Sequence, residues 1–328
     1  MKALVIGASG HLGNAITRAL LDRGWEISAA GRQPTPPLNL SGLPVTYLQG
    51  DADASGQLRK WIPGHDLVID AAAPYPMSLV FPGRLSEGDP FIAAEKRTRR
   101  FLDAISLHDA IFVYIGSFIT LVTPKNEIHQ LRERIIRWTL PYFEVKTVIE
   151  SQILDACRQG LRAVIVNPTY CLGPWDLHDR RVCTIPLLLS GEIPGTISQI
   201  LNVIDVRDVA DGVVAAIDHR NYGKPLLMAG HTISTSDLYA LICQMGNVPM
   251  PPYAPSATLA ALGSYWTEVA FNILGQQTPI ISAGMMMATA FDYLESSRLS
   301  NAPGVVPRPL EQTIVDAIKW YRTIGYCE

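Results

Sequence analysis

Ala3-Leu4-Val5-Ile6 is a short apolar run that stops at Gly7, and Asn14 to Leu21 then places its apolar residues at helical spacing. The same change of period recurs through the first half of the chain. Strand-like runs fall at Trp25 to Ala30, Val45 to Gln49, Leu67 to Ala73, Ile111 to Ser117 and Arg162 to Asn167. Helical spacing separates them at Ser55 to Ile62, at about 90 to 107, and at Lys146 to Gln159. Strands that alternate with helices in this way predict a parallel sheet with helices on both faces. Gly24, after Arg23, is placed to stop the first helix. Beyond Pro168 the rhythm breaks, because prolines at 174, 186, 194, 225, 249, 251, 252 and 255 cut the chain into short pieces. A strand-then-helix pattern returns at Gln199 to Ile217, and Gln312 to Tyr321 reads as a closing amphipathic helix. Leu262, Trp266, Val269 and Ile273 make a helical stripe within Ala260 to Leu274 that reads as core.

Composition narrows the class of molecule. The chain has 328 residues, 48% of them hydrophobic, with a formal net charge of −3, which fits a soluble globular protein with room for two substructures. Its basic residues are scattered and no nucleic-acid-reading motif is present, so nucleic acid is not an expected partner. The one local cluster, Lys96-Arg97-Thr98-Arg99-Arg100, lies in the helix expected at about 90 to 107 and reads as a solvated face. No uncharged run of 18 apolar residues occurs, and Met1 leads directly into a core strand, so neither a membrane span nor a signal peptide is expected. The cytoplasm is the expected location. Cys157, Cys171, Cys183, Cys243 and Cys327 are widely spaced without a Cys-x-x-Cys, and the histidines form no ligand pair, so free thiols and no metal are expected.

Candidate chemistry starts at the first turn, Gly7-Ala8-Ser9-Gly10-His11-Leu12-Gly13. Between a strand and a helix, Gly7 suits a tight turn, Gly10 lets backbone amides approach a pyrophosphate, and Gly13 lets the helix pack close to the strand. The expected fold class is therefore α/β, a Rossmann-type doubly wound parallel sheet with a smaller, mostly helical C-terminal substrate lobe. Its expected division is 1–168 for the dinucleotide-binding domain and 169–328 for the lobe, with 199–229 returning to the first domain. The second strand ends at Gly31 and Arg32, where a unit that prefers NAD carries an acidic side chain for the ribose 2′-hydroxyl. A guanidinium there pairs with a 2′-phosphate, which favours NADP, bound as NADPH. Tyr142 and Lys146 lie four residues apart on one helix face, where the ammonium would favour the phenolate form of the tyrosine. Ser117 closes the fifth strand, at the sheet edge where ligands bind in such folds.

With these groups in order, the chain resembles the short-chain dehydrogenase/reductase superfamily, in its extended, epimerase/dehydratase-like branch. Gly50-Asp51-Ala52-Asp53, Asn167-Pro168-Thr169 with Gly173-Pro174, and Asn202 through Ala210 carry the likeness over nearly the whole length. The closing segment, with Phe291-Asp292-Tyr293, Arg308-Pro309-Leu310-Glu311 and Trp320-Tyr321, looks most like the dihydroflavonol-reductase and hopanoid-associated sugar-epimerase-like group. The resemblance implies Tyr142 as general acid, Lys146 as the group that lowers its pKa and holds the nicotinamide ribose, and Ser117 as a hydrogen-bond donor to the substrate carbonyl. It implies a cofactor site made by Gly7, Ser9, Gly10, His11, Leu12, Gly13, Arg32, Asp51, Ala52, Ala71, Ala72, Ala73, Tyr142, Lys146, Pro168 and Thr169. Asp51 would contact adenine, the alanines would line the cleft, and the Pro168 turn would meet the nicotinamide end.

Three departures from the family pattern matter. Phe118-Ile119 follow Ser117 where sugar-nucleotide dehydratases carry an Asp-Glu pair, and Ile200-Leu201-Asn202 lacks the arginine with which nucleotide-sugar epimerases hold a diphosphate. Arg100 stands where relatives usually place an asparagine. The expected activity is NADPH-dependent reduction of a ketone or aldehyde of a fairly apolar small molecule, with Met285-Met286-Met287 available to an adaptable pocket or to the core. A sugar epimerase or hydroxy-compound dehydrogenase of the same superfamily is the alternative. The expected partner is a small carbonyl substrate, and a homodimer is compatible with the reading. Substrate choice is expected to reside in Pro74 to Pro90, Leu121 to Pro141 and Trp175 to Gly195, where Arg180 and Arg181 are the residues most able to grip an anion.

Overall fold

The computed structural model describes residues 1–73, 90–121, 141–177, 183–193, 195–196, 199–252, 263, 266–267, 270 and 305–327. Its strands are β1 (Lys2–Ile6), β2 (Glu26–Gly31), β3 (Val45–Gln49), β4 (Leu67–Asp70), β5 (Ile111–Ile115), β6 (Ala163–Pro168), β7 (Tyr170–Leu172), β8 (Ile200–Asp205), β9 (Pro225–Met228) and β10 (His231–Ser234). The helices are α1 (His11–Asp22), α2 (Gln57–Trp61), α3 (Pro90–Ile105), α4 (Tyr142–Arg158), α5 (Thr184–Leu189), α6 (Val206–Asp218), α7 (Thr235–Gly246) and α8 (Leu310–Thr323).

Seven strands pair in the order β3-β2-β1-β4-β5-β6-β9, all parallel. A side-chain period of two sends alternate residues of each strand to opposite faces, and here both faces are buried. Ala3, Val5, Val113, Ile115, Val164 and Val166 join one cluster with α1 and α6. Leu4, Ile6, Phe112, Tyr114, Ala163 and Ile165 join the other with α2, α3 and α4. That two-sided burial is why the strands read as continuous apolar runs. Gly24, at φ 75°, ends α1 through its N–H to the Leu21 carbonyl at 2.8 Å.

A second sheet, β10-β8-β7, holds a separate cluster with α5, α7 and α8. The described part of the C-terminal lobe is thus built on strands as well as helices. The strand expected from Gln199 onward is β8, and it belongs to this small sheet, whereas β9 pairs with β6 at the edge of the large one. Asn202, at the centre of β8, is buried and explains the joint: Thr169 Oγ1 donates to its Oδ1 at 2.8 Å, and its Nδ2 donates to the Gly230 carbonyl at 3.2 Å. Of the helical stripe read as core, Trp266 alone falls within the described residues, and its side chain is exposed. All five cysteines are free. Among the described residues, no helix is long and apolar enough to cross a membrane.

Charge fastens α6 to the last helix. Asp205 caps α6 by accepting the Arg207 N–H at 2.7 Å, and its other oxygen pairs with the Arg207 guanidinium at 2.7 Å. Arg207 continues to Asp316 on α8 at 2.6 Å, while Arg308 pairs with Asp208 at 2.6 Å. Burial would raise the Asp205 carboxyl, but the hydrogen bonds from Arg207 outweigh it and hold the group below its ordinary value. Asp205→Ala removes a cap and leaves the Arg207 guanidinium with Asp316 alone, so a loss of about 1–3 kcal/mol is expected. Urea denaturation of the two chains at pH 7 measures it as a lowered midpoint with unchanged slope.

Candidate active site

The sheet order reverses between β1 and β4, and in an open parallel sheet a ligand crevice forms outside that point. Here the turns that leave the two strands touch. Gly7, at φ 82°, could not carry a side chain, since its Cβ would lie 2.9 Å from the Ala71 backbone. A Cβ on Gly13 would lie 2.1 Å from the Gly7 carbonyl oxygen. Gly10 caps α1, and its own N–H returns to the Gly7 carbonyl at 2.9 Å. The amide-rich end of α1 therefore opens onto the crevice, and a cavity of about 180 Å³ beside it is lined by Ser9, Gly10, Gln33, Pro37 and Leu177. His11 is buried at the start of α1 with its Nδ1 3.8 Å from Asp176, and Leu12 packs against the sheet.

A chain segment from each lobe roofs this turn. Asn39 Nδ2 donates to the Ser9 carbonyl at 2.8 Å and to the Trp175 carbonyl at 3.0 Å, while the Arg18 guanidinium stands 4.4 Å over the Trp175 ring. Neither Asn39 nor Arg18 was singled out from the sequence, and no local pattern marks them.

At the end of β2, Gly31 is closed to side chains by Tyr47, whose Oη would lie 2.9 Å from an added Cβ. The same Oη donates to the Gln33 carbonyl at 2.9 Å. Arg32 is exposed and makes no hydrogen bond to another described residue. Asp51 and Ala52 lie in the turn after β3, where Asp51 Oδ1 accepts the Asp53 N–H at 2.9 Å.

In the basic cluster on α3, Lys96, Arg99 and Arg100 are exposed as expected, but Arg97 is buried. Ala94, Arg97, Thr98 and Phe101 form the buried side of that helix, because Arg97 has carboxylate partners that let it occupy a core position. It grips Asp70, the last residue of β4, with two nitrogens at 2.6 and 3.0 Å, and it donates from Nε to Asp53 at 2.8 Å. Arg100 donates to the Asp53 carbonyl at 2.7 Å, which gives that residue a contact the sequence left unexplained. Strand β4 stops at Asp70 and not at Ala73, because Asp70 Oδ1 takes the Ala72 N–H at 3.1 Å.

At β5 the strand stops at Ile115 for a similar reason. Asn167 Oδ1 accepts the Ser117 N–H at 2.9 Å, and Gly116 leaves the space, since a Cβ there would meet that oxygen at 2.0 Å. Helix α4 begins at Tyr142, four residues before the helical spacing read from Lys146. Tyr142 and Lys146 are both buried, with Lys146 Nζ 5.8 Å from the Tyr142 ring centroid, 5.3 Å from that of Tyr114, and 3.3 Å from the Ile115 carbonyl. Burial pushes the Lys146 ammonium down to about 8, against the pull of Asp70 and Glu150.

Glu150, one turn further along α4, completes the arrangement. Its Oε2 accepts from Asn167 Nδ2 at 2.9 Å and from Thr120 Oγ1 at 2.8 Å, and Thr120 Oγ1 also lies 3.1 Å from the Ser117 carbonyl. Ser117 is held at its N–H by Asn167 and at its C=O by the Thr120 N–H at 3.2 Å, and both partners end on one carboxylate. Burial pushes the Glu150 carboxyl up, against the hydrogen bonds from Thr120 and Asn167. The signal was present, since Glu150 follows Lys146 at the same spacing as Lys146 follows Tyr142 on a face that otherwise carries Ile149 and Ile153.

Pro168 ends β6 and Thr169 is buried, with its N–H on the Met228 carbonyl at 3.0 Å. Ala71 and Ala73 are half-buried and Ala72 exposed along the crevice wall. Arg180, Arg181, Met285 to Met287, Phe291 to Tyr293 and most of the three loops expected to choose the substrate lie outside the described residues.

A glycine cradle with no room for side chains, an open helix N-terminus and a cavity beside it fit a dinucleotide. A family model described as the NAD dependent epimerase/dehydratase family matches residues 3–228. A Synechocystis sp. protein provisionally named a dihydroflavonol 4-reductase is 25% identical, over 98% of this chain and 95% of its own. The sterol demethylase protein B of Methylococcus capsulatus is 24% identical over 99% of each chain. The 2-alkyl-3-oxoalkanoate reductase of Shewanella oneidensis is 23% identical over 85% of this chain and 75% of its own. Among solved structures, a nucleoside-diphosphate-sugar epimerase from Pseudomonas aeruginosa superposes with a TM-score of 0.72 at 21% identity, over 100% of this chain and 99% of that one. That likeness carries the fold.

Lys146 makes a stability test possible. A lysine whose folded pKa is depressed binds fewer protons than its unfolded counterpart between about 8 and 10.5. Its burial therefore costs most below pH 8, and stability is regained as pH rises toward the unfolded value. Lys146→Met is expected to be more stable than the parent at pH 7 by about 1–4 kcal/mol, with the gap narrowing above pH 8. Thermal melts of both chains at pH 7 and pH 9 check this, and a gap that widens at pH 9 contradicts it.

Proposed function

This chain belongs to the NAD dependent epimerase/dehydratase family, and on that footing we propose that it is an NADPH-dependent carbonyl reductase acting on a fairly apolar ketone or aldehyde. It is an enzyme of a superfamily that binds a nicotinamide dinucleotide and acts on small molecules. The observation that carries the finer reading is the buried Tyr142 and Lys146 pair at the open edge of the sheet, beside a Ser117 held by Asn167 and Thr120.

In this reading the Gly7 to Gly13 turn, with Ser9, Gly10, His11 and Leu12, takes the pyrophosphate, and Arg32 takes the 2′-phosphate. Asp51 and Ala52 flank the adenine, Ala71 to Ala73 form the wall, and Pro168 with Thr169 meets the nicotinamide end. A bound nicotinamide supplies the hydride. Tyr142 donates its phenolic proton to the carbonyl oxygen as that oxygen gains negative charge, and the Lys146 ammonium stabilises the phenolate left behind. The Ser117 hydroxyl donates to the same oxygen, in a geometry held by Asn167 and Glu150. Elimination chemistry is disfavoured, because Phe118 and the buried Ile119 stand where a second acid and base would be needed. A diphosphate is disfavoured as well, since Asn202 spends its amide on Gly230 and Thr232. The names of the reductase relatives support reduction, and the sterol enzyme supports an apolar substrate.

Two experiments test this. Tyr142→Phe is expected to keep NADPH affinity within about twofold and to lower turnover of a 3-oxoalkanoate ester by about 10²-fold or more. Retained turnover moves the proton donor elsewhere. In titrations, the parent is expected to bind NADPH more tightly than NADH, and Arg32→Ala to lose about 10-fold of that preference, the equivalent of one charge-assisted hydrogen bond. Equal binding of the two cofactors by the parent sinks the NADP assignment, and micromolar binding of UDP- or TDP-sugars favours an epimerase.

A further inference from the structure

We propose that Arg97 is a positioning residue for the adenosine half of the cofactor, acting through Asp53 and Asp70 to fix the two loops that border it. The proposal rests on the dinucleotide reading above and adds the part of the chain that makes the site rigid.

The loops in question leave the C-terminal ends of β3 and β4, on either side of the β2 and β1 ends. With the pyrophosphate at the α1 N-terminus and the ribose at the end of β2, the adenosine lies over this flank of the sheet. Short loops at such an edge have few apolar contacts of their own to hold them. Here a single guanidinium supplies the anchor. It spends Nη1 and Nη2 on Asp70, Nε on Asp53, and a further Nη2 contact on the Ala72 carbonyl at 3.3 Å. Its carbon stands 4.4 Å over the Phe101 ring, which fixes the fork from below.

Each carboxylate passes the constraint to backbone. Asp70 Oδ1 holds the Ala72 N–H, and Ala71 in turn packs against Gly7 at the cradle. Asp53 carries the other arm into the turn in which Asp51 accepts the Asp53 N–H, and Arg100 adds a bond to the Asp53 carbonyl. Arg97 and Asp70 are buried and Asp53 is half exposed, so the strong end of the network lies in the core and its free end at the crevice rim. Burial would lower the Arg97 guanidinium, but the two carboxylates outweigh that and keep it charged. A lysine could not replace it, because a point charge cannot hold two carboxylates in a planar fork.

The test uses the exposed arm, so that folding is preserved. Asp53→Ala cuts the rim from its anchor and leaves the buried Arg97 and Asp70 pair intact. Calorimetric titration with NADPH and with 2′,5′-ADP is expected to show affinity for both falling by the same factor, about tenfold. The melting temperature should change little. Arg97→Lys, checked for folding by circular dichroism, should lower both affinities at least as far, and the double variant should add nothing to it. If both single variants bind 2′,5′-ADP as tightly as the parent, the positioning role is wrong and the cofactor reading stands. If affinity falls only in proportion to lost melting temperature, Arg97 is merely structural. A parent chain that binds neither NADPH nor 2′,5′-ADP overturns the cofactor reading and this role together.

Discussion

A methyl group on Gly13 would lie 2.1 Å from the Gly7 carbonyl oxygen, and one on Gly7 would lie 2.9 Å from the backbone of Ala71. These two contacts set the distance between α1, β1 and β4, and the crevice exists because of them. Close packing of backbone on backbone leaves neither water nor side chain between the helix start and the sheet. The helix amides then face outward, where their partial positive charge is available to an anion. Any residue larger than glycine at either position would push α1 off the sheet and turn that charge away.

A second constraint organises the other half of the crevice. The polar side chains at its floor, Asp70, Arg97, Lys146, Glu150 and Asn167, are nearly all buried, where an unpaired polar group is costly. They are accommodated because each has a partner, which for Lys146 is the Ile115 carbonyl. Asn167 bonds Glu150, Glu150 bonds Thr120, and Asp70 bonds Arg97. Tyr114, on the same floor, is an exception: its buried Oη has no hydrogen-bond partner among the described residues, and its phenol is pushed up by burial. It lies under Lys146 as an aromatic floor, which offers the ammonium a face without a competing charge.

The fold was legible because a parallel sheet buried on both faces writes itself as apolar runs, and the glycine turn fixed what the first unit was for. The placing of Tyr142, Lys146 and Ser117 at one end of the sheet was legible because their spacing and strand positions are local. What escaped depends on contacts between distant segments. The charge run around Arg97 reads as solvent-facing, since only the fold brings Asp53 and Asp70 to it. Strand ends at Asp70 and Ile115 came out shorter than their apolar runs because side-chain acceptors capture the next backbone donors. Pattern alone could not tell that β8 leaves the large sheet, because a buried strand looks alike in either.

The passage from β6 into β7 joins the two sheets without a linker. Residues Ala163 to Pro168 pair with β5 and β9, and two residues later Tyr170 to Leu172 pair with β8. Thr169, between them, is bonded to Met228 on one side and Asn202 on the other. A hinge at Thr169 would have to break the bonds that tie it to both sheets. Substitutions at Thr169 or Asn202 would therefore be felt in both sheets, whereas a change confined to an exposed turn at the crevice would disturb neither ladder.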